Sequence, residues 1–501
     1  MSEAKRIRPP PSVKPALHFI DGEFRAGREG RTFPTLNPST NEPITDVAEG
    51  TAEDVDAAVR AARTAFEDGW GRLPARERAR WMERIADAIE EHGDDLVALE
   101  VLDVGLPVTQ AAAQTVRAAD NFRFFAREIT QEGTDAYRVE EQFINYTIRK
   151  PVGVAGLITP WNTPFMLETW KVAPCLATGN TAVLKPAEWA PLTAHKLAEV
   201  VAEIDLPPGV LNVVSGIGEV AGAALVAHPG VRLISFTGET TTGKEIMRTG
   251  AGTLKRYSFE LGGKSPVVVF EDAELDRALD GAIFGVFTLN GERCTAGSRI
   301  LIEEPAYEGF VERLGERASR LRVGDPFDPA TELGPLIRPE HWDRVTGYVR
   351  AGVEEGARLV AGGQRPSDLP AGNHLQATVF ADVTPEMRIF QEEIFGPVVV
   401  CTPFRDEEEA VRLGNDVRYG LTGYVWTGDI KRGHRVAQAL EAGMVWINSQ
   451  NVRDLRIPFG GVKESGIGRE GGHYSLDFYC ELETIHVALS DHHIPRLGAG
   501  D

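Results

Sequence analysis

Three side chains in this sequence could together perform acyl chemistry: a thiol, a carboxylate and an amide. Cys294 lies in Asn290-Gly291-Glu292-Arg293-Cys294-Thr295-Ala296-Gly297-Ser298, among small residues that leave a sulfur reachable. A thiol attacks as its thiolate, so it needs access and a neighbour that accepts or compensates the charge. Glu260, in the glycine-rich run Glu260-Leu261-Gly262-Gly263-Lys264, is a plausible base. Asn162, in Thr159-Pro160-Trp161-Asn162-Thr163-Pro164, carries a neutral amide donor. Losing such a donor to a developing oxyanion typically costs about 3–4 kcal/mol of barrier. Each residue also has an ordinary reading. A free cysteine is commonly buried and inert, and an asparagine between prolines suits a turn.

A second group of motifs suits a nucleotide. Phe236-Thr237-Gly238-Glu239 closes one apolar run and opens a helix-like segment, where free backbone N–H groups favour a phosphate. Lys185-Pro186-Ala187-Glu188 ends another run, at the edge where open α/β sheets bind ligands. A lysine and an acid there can bind ribose hydroxyls, and the acid would repel a 2′-phosphate. Gly216-Ile217-Gly218 with Gly222 is only a partial dinucleotide fingerprint, and weak by itself. The plain alternative for Lys185 and Glu188 is a solvated surface pair.

These residues need a frame. From about Phe143 the sequence alternates short β-branched runs with helix-sized segments, with strands predicted at 154–159, 181–185, 211–215, 231–237 and 266–270. That alternation predicts parallel strands with helical crossovers, a Rossmann-like doubly wound α/β fold. A second alternating stretch, 272–447, predicts a second α/β domain. Before them, Thr51-Ala52-Glu53-Asp54 reads as a capping box, and Val55, Val59, Ala62 and Phe66 recur at helical spacing. Trp81, Ile85 and Ile89 form another stripe, and Ala118, Phe122 and Phe125 a third. The polar run 141–150 and the tail 478–488 read as strands that leave the body and pair with another subunit. The expected division is 1–130 with 151–261 as a nucleotide-binding domain and 262–475 as a catalytic domain. Residues 131–150 with 476–501 form an oligomerisation arm and tail.

Composition narrows the partners. The 501 residues are 42% hydrophobic and 25% charged, values of a globular protein with ample core. The formal charge of −21 argues against nucleic acid and anionic membrane as partners. It also means that an anionic ligand must meet locally placed cations. The start, Met1 to Lys14, is polar and proline-rich and does not read as a secretory signal, and no apolar run has the length of a membrane span. Cys175, Cys294, Cys401 and Cys480 lack paired spacing, so neither disulfides nor a metal site is expected, and a reducing cytoplasm fits.

Taken together the motifs resemble the aldehyde dehydrogenase superfamily, from about Phe19 to His486. The resemblance rests on Pro160-Trp161-Asn162, Lys185-Pro186-Ala187-Glu188, Phe236-Thr237-Gly238, the Glu260–Lys264 run and the Cys294 run. It continues in Glu392-Glu393-Ile394-Phe395-Gly396-Pro397, Pro458-Phe459-Gly460-Gly461-Val462-Lys463 and Ser465-Gly466-Ile467-Gly468-Arg469-Glu470. It implies that Cys294 attacks an aldehyde, that Asn162 and the Cys294 N–H hold the oxyanion, and that Glu260 activates the hydrolytic water. Lys171, beside Trp170, would assist Glu260 or relay its protons. NAD would be held by Trp161, Lys185, Glu188, Gly218, Phe236, Thr237, Gly238, Glu239, Leu261, Glu393 and Phe395. Glu188 would favour it over NADP. One residue departs from the family pattern. Glu239 stands where most members carry a serine against the pyrophosphate, so the carboxylate is expected to turn away. Trp161 or backbone N–H groups would then hold the phosphates.

A narrower signature lies in 239–244, 290–294, 449–456 and 491–495. It resembles the branch that oxidises a dicarboxylated aldehyde left by aromatic ring cleavage, in catabolism of 4-hydroxyphenylacetate. An acidic protein handling a dianion should place arginines in its substrate tunnel, because guanidinium forks match carboxylates. Arg453 and Arg117 fall at tunnel-lining positions, with Trp170 and Phe459 beside them; the alternative for either arginine is a structural salt bridge. Other readings stay open: 2-hydroxymuconic semialdehyde, betaine aldehyde or a simple aromatic aldehyde as substrate, or a catalytically silent NAD-binding protein. The expected assembly is a homodimer or homotetramer.

Overall fold

The computed structural model describes residues 7–498. Residues 1–6 of the proline-rich start and 499–501 of the tail, on which some of the expectations above fall, lie outside the described residues.

Two sheets carry the site. The first has eight strands, in the order 23–25, 18–20, 211–213, 181–185, 154–158, 233–237, 256–260 and 466–467. Its five central strands are parallel. Chain order reverses between Val154–Ile158 and Leu233–Thr237, so the loops leaving their carboxyl ends diverge and open a crevice, the place where such sheets take ligands. Four of these strands are buried along their whole length, as parallel strands between helical layers require. The predicted strands at 154–159, 181–185, 211–215 and 231–237 fall here within two residues of their observed ends. The fifth, Arg256–Glu260, went unpredicted because Arg256, Tyr257 and Ser258 break the apolar run. It is nonetheless the strand that delivers Glu260.

The second sheet has seven strands, in the order 358–361, 378–381, 398–404, 299–303, 266–269, 422–426 and 444–447, all parallel except the first pair. Gly466–Ile467 pairs with Phe259 and Glu260 of the first sheet, so the chain returns to that sheet after completing the second.

Four helices cover the amino-terminal side. Ala52–Asp68 starts on the expected capping box. Thr51 Oγ1 accepts from the Asp54 N–H, and Asp54 Oδ2 accepts from the Thr51 N–H at 2.9 Å. Val55, Val59 and Ala62 are buried in its core stripe, as are Ile85 and Ile89 on Ala75–Glu91 and Ala118, Phe122 and Phe125 on Val108–Gln131. The adjacent face of Val108–Gln131 presents Ala113, Gln114, Arg117, Asp120 and Asn121, one helical stripe, to a cavity. A third sheet, Ala136–Val139, Phe143–Pro151 and Cys480–Ala488, stands away from the body with most of its residues exposed or half-buried. Its last strand starts at Cys480 because 478–479 close the helix Gly472–Tyr479. There Tyr479 is buried and donates to the Lys171 carbonyl. No helix among the described residues is long and apolar enough to cross a membrane.

Candidate active site

The nucleophile loop is built by residues that cannot easily be exchanged. Leu289 and Asn290 adopt left-handed backbone, as does Gly291. A Cβ on Gly291 would strike the Gly396 carbonyl carbon. The Asn290 side chain is fully used: Nδ2 donates to the Gly105 and Pro335 carbonyls, and Oδ1 accepts from the Gly334 N–H. Glu292 Oε1 accepts from the Ile337 N–H. The loop is therefore anchored on both sides before Cys294 is reached.

The motifs separated in sequence converge there. Gly262 and Gly263 lie between Glu260 and the rest of the site. A Cβ on Gly263 would come 2.6 Å from the Cys294 carbonyl oxygen, and one on Gly262 would strike Glu393 Oε2. Only glycine allows the Glu260 turn to pass so close to both. Glu393 accepts from the Gly263 N–H at 2.8 Å. Asn162 follows the strand Val154–Ile158, is buried, and donates to the Glu292 carbonyl at 2.8 Å. That bond settles which end of the amide carries N–H groups and leaves a second N–H on the same nitrogen.

Electrostatics follow from burial. Burial pushes the Cys294 thiol up to about 12; Glu260 and Glu393 add to the rise, while Arg293 and Arg453 oppose it. Cys294 is nonetheless only half-buried. Glu260 is buried with neither carboxylate oxygen hydrogen-bonded. Burial, then Glu470, holds its proton well above the usual carboxylate range, while Lys171, Arg469 and Arg453 pull the other way. An unpartnered buried carboxylate near a thiol is unstable in isolation and suited to exchanging protons.

Lys171 does not bond Glu260 directly. Its Nζ donates to Glu470 Oε1 and to Ser235 Oγ, both at 2.9 Å, and Trp170 Nε1 donates to Glu470 Oε2 at 2.5 Å. Glu470 itself is tied to Phe459 through paired backbone hydrogen bonds of 2.7 and 2.8 Å. Sequence reading passed over Glu470, although it closes a quoted motif; its position beside Lys171, 299 residues away, was not visible in one dimension.

A cavity of about 530 Å³ opens beside the nucleophile loop, lined among others by Gln114, Arg117, Phe284, Arg293, Asn451 and Arg453. Arg453 is held between two rings, 4.6 Å over Trp170 and 4.3 Å over Phe459. Arg117 donates to Gln114 at 2.9 Å. Burial, then Arg453 and Arg293, lowers it to about 9, which leaves it charged at neutral pH. Arg293 was read only as a branch marker, yet it shares this cavity.

The residues expected to hold a nucleotide lie at and around the carboxyl ends of the first sheet's strands. Lys185 Nζ reaches Glu188 Oε2 at 3.0 Å; Lys185 is buried and Glu188 is a third exposed. Thr237 Oγ1, at the carboxyl end of its strand, is buried without a partner. Space above Gly218 is open. Glu239 is exposed and makes no side-chain cap bond at the start of Thr240–Gly250. Trp161 packs against Phe395 at 5.3 Å and Trp189 at 5.7 Å. Phe236 and Leu261 are buried beneath, and Gly238 is required because a Cβ would strike the Phe236 ring. An unpartnered hydroxyl, an acid beside a lysine and open space over a glycine fit a dinucleotide with free ribose hydroxyls.

The pattern of the Aldehyde dehydrogenase family matches residues 24–485. The chain belongs to the aldehyde dehydrogenase family. Among curated members it is 53% identical over 469 residues to the 5-carboxymethyl-2-hydroxymuconate semialdehyde dehydrogenase of Escherichia coli, covering 92% of this chain and 99% of that one. It is 45% identical over 486 residues to the 2-hydroxymuconic semialdehyde dehydrogenase of Pseudomonas sp. (strain CF600), covering 95% of this chain and all of the relative. Among solved structures, HpcC from Thermus thermophilus superposes with a TM-score of 0.95 at 55% identity, covering 97% of this chain and 95% of that one. An NAD+ complex of aldehyde dehydrogenase from Bacillus cereus gives 0.93 at 44% identity, covering 95% and 97%. This family member is an aldehyde-oxidising enzyme, which excludes the silent alternative.

Proposed function

We propose that the enzyme oxidises 5-carboxymethyl-2-hydroxymuconate semialdehyde, a dicarboxylated ring-cleavage aldehyde, to the carboxylic acid. The cofactor is NAD, whose nicotinamide accepts the hydride when bound. The observation that carries the substrate is the cluster of three half-buried arginines, Arg117, Arg293 and Arg453, facing one cavity in a protein of net charge −21. A neutral aldehyde gives no compensation for that cluster.

The protein's own residues act as follows. Glu260 takes the Cys294 thiol proton and passes it on toward solvent as Sγ bonds the aldehyde carbon and the carbonyl electron pair moves onto oxygen. The resulting oxyanion of the thiohemiacetal lies on the second Asn162 N–H and the Cys294 N–H. Hydride loss from that carbon leaves a thioester. Glu260 then takes a proton from water as the water oxygen bonds the thioester carbon, the C–S bond breaks, and the departing sulfur takes that proton back from Glu260 to return the thiol. Lys171 and Glu470 tune Glu260 and offer its proton a route. Glu393 and Phe395 hold the nicotinamide side, and Lys185 and Glu188 the adenine ribose. The layer around the first sheet is the nucleotide-binding domain, that around the second the catalytic domain, and the three-stranded arm joins subunits of a homodimer or homotetramer in the cytoplasm.

The test is a substrate panel with NAD and NADP, including the ring-cleavage product made in situ. Arg453→Ala should lower the ratio of kcat/KM on that product to kcat/KM on a neutral aldehyde. Equal losses on both would remove Arg453 from substrate binding.

A further inference from the structure

Arg293 adjoins the nucleophile and opposes the rise of its thiol, yet its fork points to a further role. Its Nε donates to Thr295 Oγ1 and its Nη1 to Thr288 Oγ1, both at 2.9 Å, with Phe284 packed 5.7 Å from the guanidinium carbon. Two bonds thus fix the plane of the fork and, among the described residues, leave Nη2 without a protein acceptor.

The cavity receives one arginine from each of three walls: Arg117 from the helix Val108–Gln131, Arg293 from the nucleophile loop, and Arg453 from the segment after Met444–Ile447. Among the described residues none of the three pairs with a carboxylate. Arg117 has only Gln114, Arg293 two threonines, and Arg453 two rings. Asp120, the single acid on the cavity wall, is exposed and reaches none of them. Three half-buried guanidinium groups share the cavity; Glu260 and Glu470 act on Arg453, while Arg117 feels mainly the repulsion of Arg453 and Arg293, an arrangement that anions entering the cavity would relieve.

We propose that Arg293 is a specificity-determining residue that holds the second carboxylate of the substrate, across the cavity from the one held by Arg453 with Arg117. The enzyme thereby selects aldehydes bearing two carboxylates over those bearing one. This rests on the reading that the substrate is a dicarboxylated semialdehyde and adds the residue that distinguishes a dianion from a monoanion. Fixing the fork through Thr288 and Thr295 lowers the entropy lost when the carboxylate binds.

The experiment compares wild type, Arg293→Gln, Arg293→Lys and Arg453→Gln on three aldehydes: the ring-cleavage semialdehyde, succinic semialdehyde and hexanal. Arg293→Gln should lower the kcat/KM ratio of the dicarboxylated to the monocarboxylated aldehyde by roughly 10- to 100-fold, mainly through KM, the range expected for a lost charge-assisted contact. Arg293→Lys should recover part of it, and should carry the comparison if the glutamine variant does not fold. Competitive inhibition by glutarate and butyrate reads the same contact without turnover. Wild type should prefer glutarate, and Arg293→Gln should erase that preference. An unchanged ratio, no glutarate preference in wild type, or equal losses on all three aldehydes would overturn the proposal, the last by making Arg293 a support for the nucleophile loop. If wild type does not favour the ring-cleavage aldehyde, the substrate reading fails separately, and the glutarate-to-butyrate comparison still decides for or against Arg293.

Discussion

The side-chain amide of Asn162 donates to the backbone carbonyl of Glu292 at 2.8 Å, two residues before Cys294. The donor proposed for the oxyanion therefore also braces the loop that carries the nucleophile. Asn162→Ala should remove both contributions. The expected result is a fall in kcat of about 100- to 1000-fold with a much smaller change in KM, the signature of a contact made in the transition state. Asn162→Asp should be no better, because a carboxylate cannot donate and would repel the oxyanion. Steady-state kinetics on any accepted aldehyde check this, and a variant losing only KM would contradict it.

Lys171 and Glu470 act on Glu260 with opposite signs. Glu470 raises the Glu260 pKa and Lys171 lowers it. Glu260 must be ionised to take a proton from water, so activity should fall as pH drops through its raised pKa. Glu470→Gln should move that acid limb to lower pH, and Lys171→Met should move it to higher pH. The lysine variant also strands Glu470 in the interior, a loss of about 3–5 kcal/mol when one partner of a buried pair is removed. The pH profile of kcat reads the first effect and urea unfolding the second. Shifts in the same direction would break the scheme.

How much of this was legible before the fold was known depends on distance along the chain. Cys294, Glu260 and Asn162 sit in motifs whose neighbours announce them, glycines where backbone must pass closely and prolines where a strand turns. The strands that position them read well where burial on both faces makes apolar runs, and Arg256–Glu260 was missed where it does not. Glu470 and Arg293 lay in quoted segments, but their partners are three-dimensional. Nothing local says that Glu470 meets Trp170 and Lys171, or that Arg293 shares a cavity with Arg117 and Arg453. Asn290 opens the Cys294 run without a role of its own in the sequence, and its three hydrogen bonds to distant segments become visible only with the fold.

A second cluster, away from the site, sets a pH limit on stability. Glu100 and Asp103, on the helix Gly93–Val104, and Glu168, on the helix Pro164–Ala177, are completely buried. Burial raises Glu100 to about 8 and Asp103 to about 7, and Glu168 rises for the same reason, with Glu100 adding to it. Their folded-state pKa values exceed the unfolded ones, so the folded chain holds protons that the unfolded chain releases. The contribution is fully present below about pH 4 and is lost as pH rises toward about 8. Each group loses about 1.4 kcal/mol for every pH step over which it stays protonated when folded and ionised when unfolded. Thermal unfolding should show the melting temperature declining across that window, and Glu100→Gln should flatten the decline. A wild-type melting temperature rising between about pH 5 and 8 would contradict it.

Cofactor choice should turn on Glu188. Its carboxylate is held by Lys185 at 3.0 Å yet remains a third exposed at the carboxyl edge of the first sheet, free to accept from ribose hydroxyls. A 2′-phosphate would place two negative groups together in a partly dehydrated crevice, and like charges there cost more than in water. Glu188→Gln keeps the size and removes the charge, and it frees Lys185, buried alongside, to meet a phosphate. The ratio of kcat/KM with NAD to that with NADP should fall by about 10-fold or more, a change of roughly 1.4 kcal/mol in discrimination. Most of it should come from improved NADP binding. Initial rates with the two cofactors at a saturating aldehyde concentration measure it. A ratio that does not move would mean that the adenine ribose is read by other groups, with Lys185 and Glu188 an ordinary ion pair at the crevice edge.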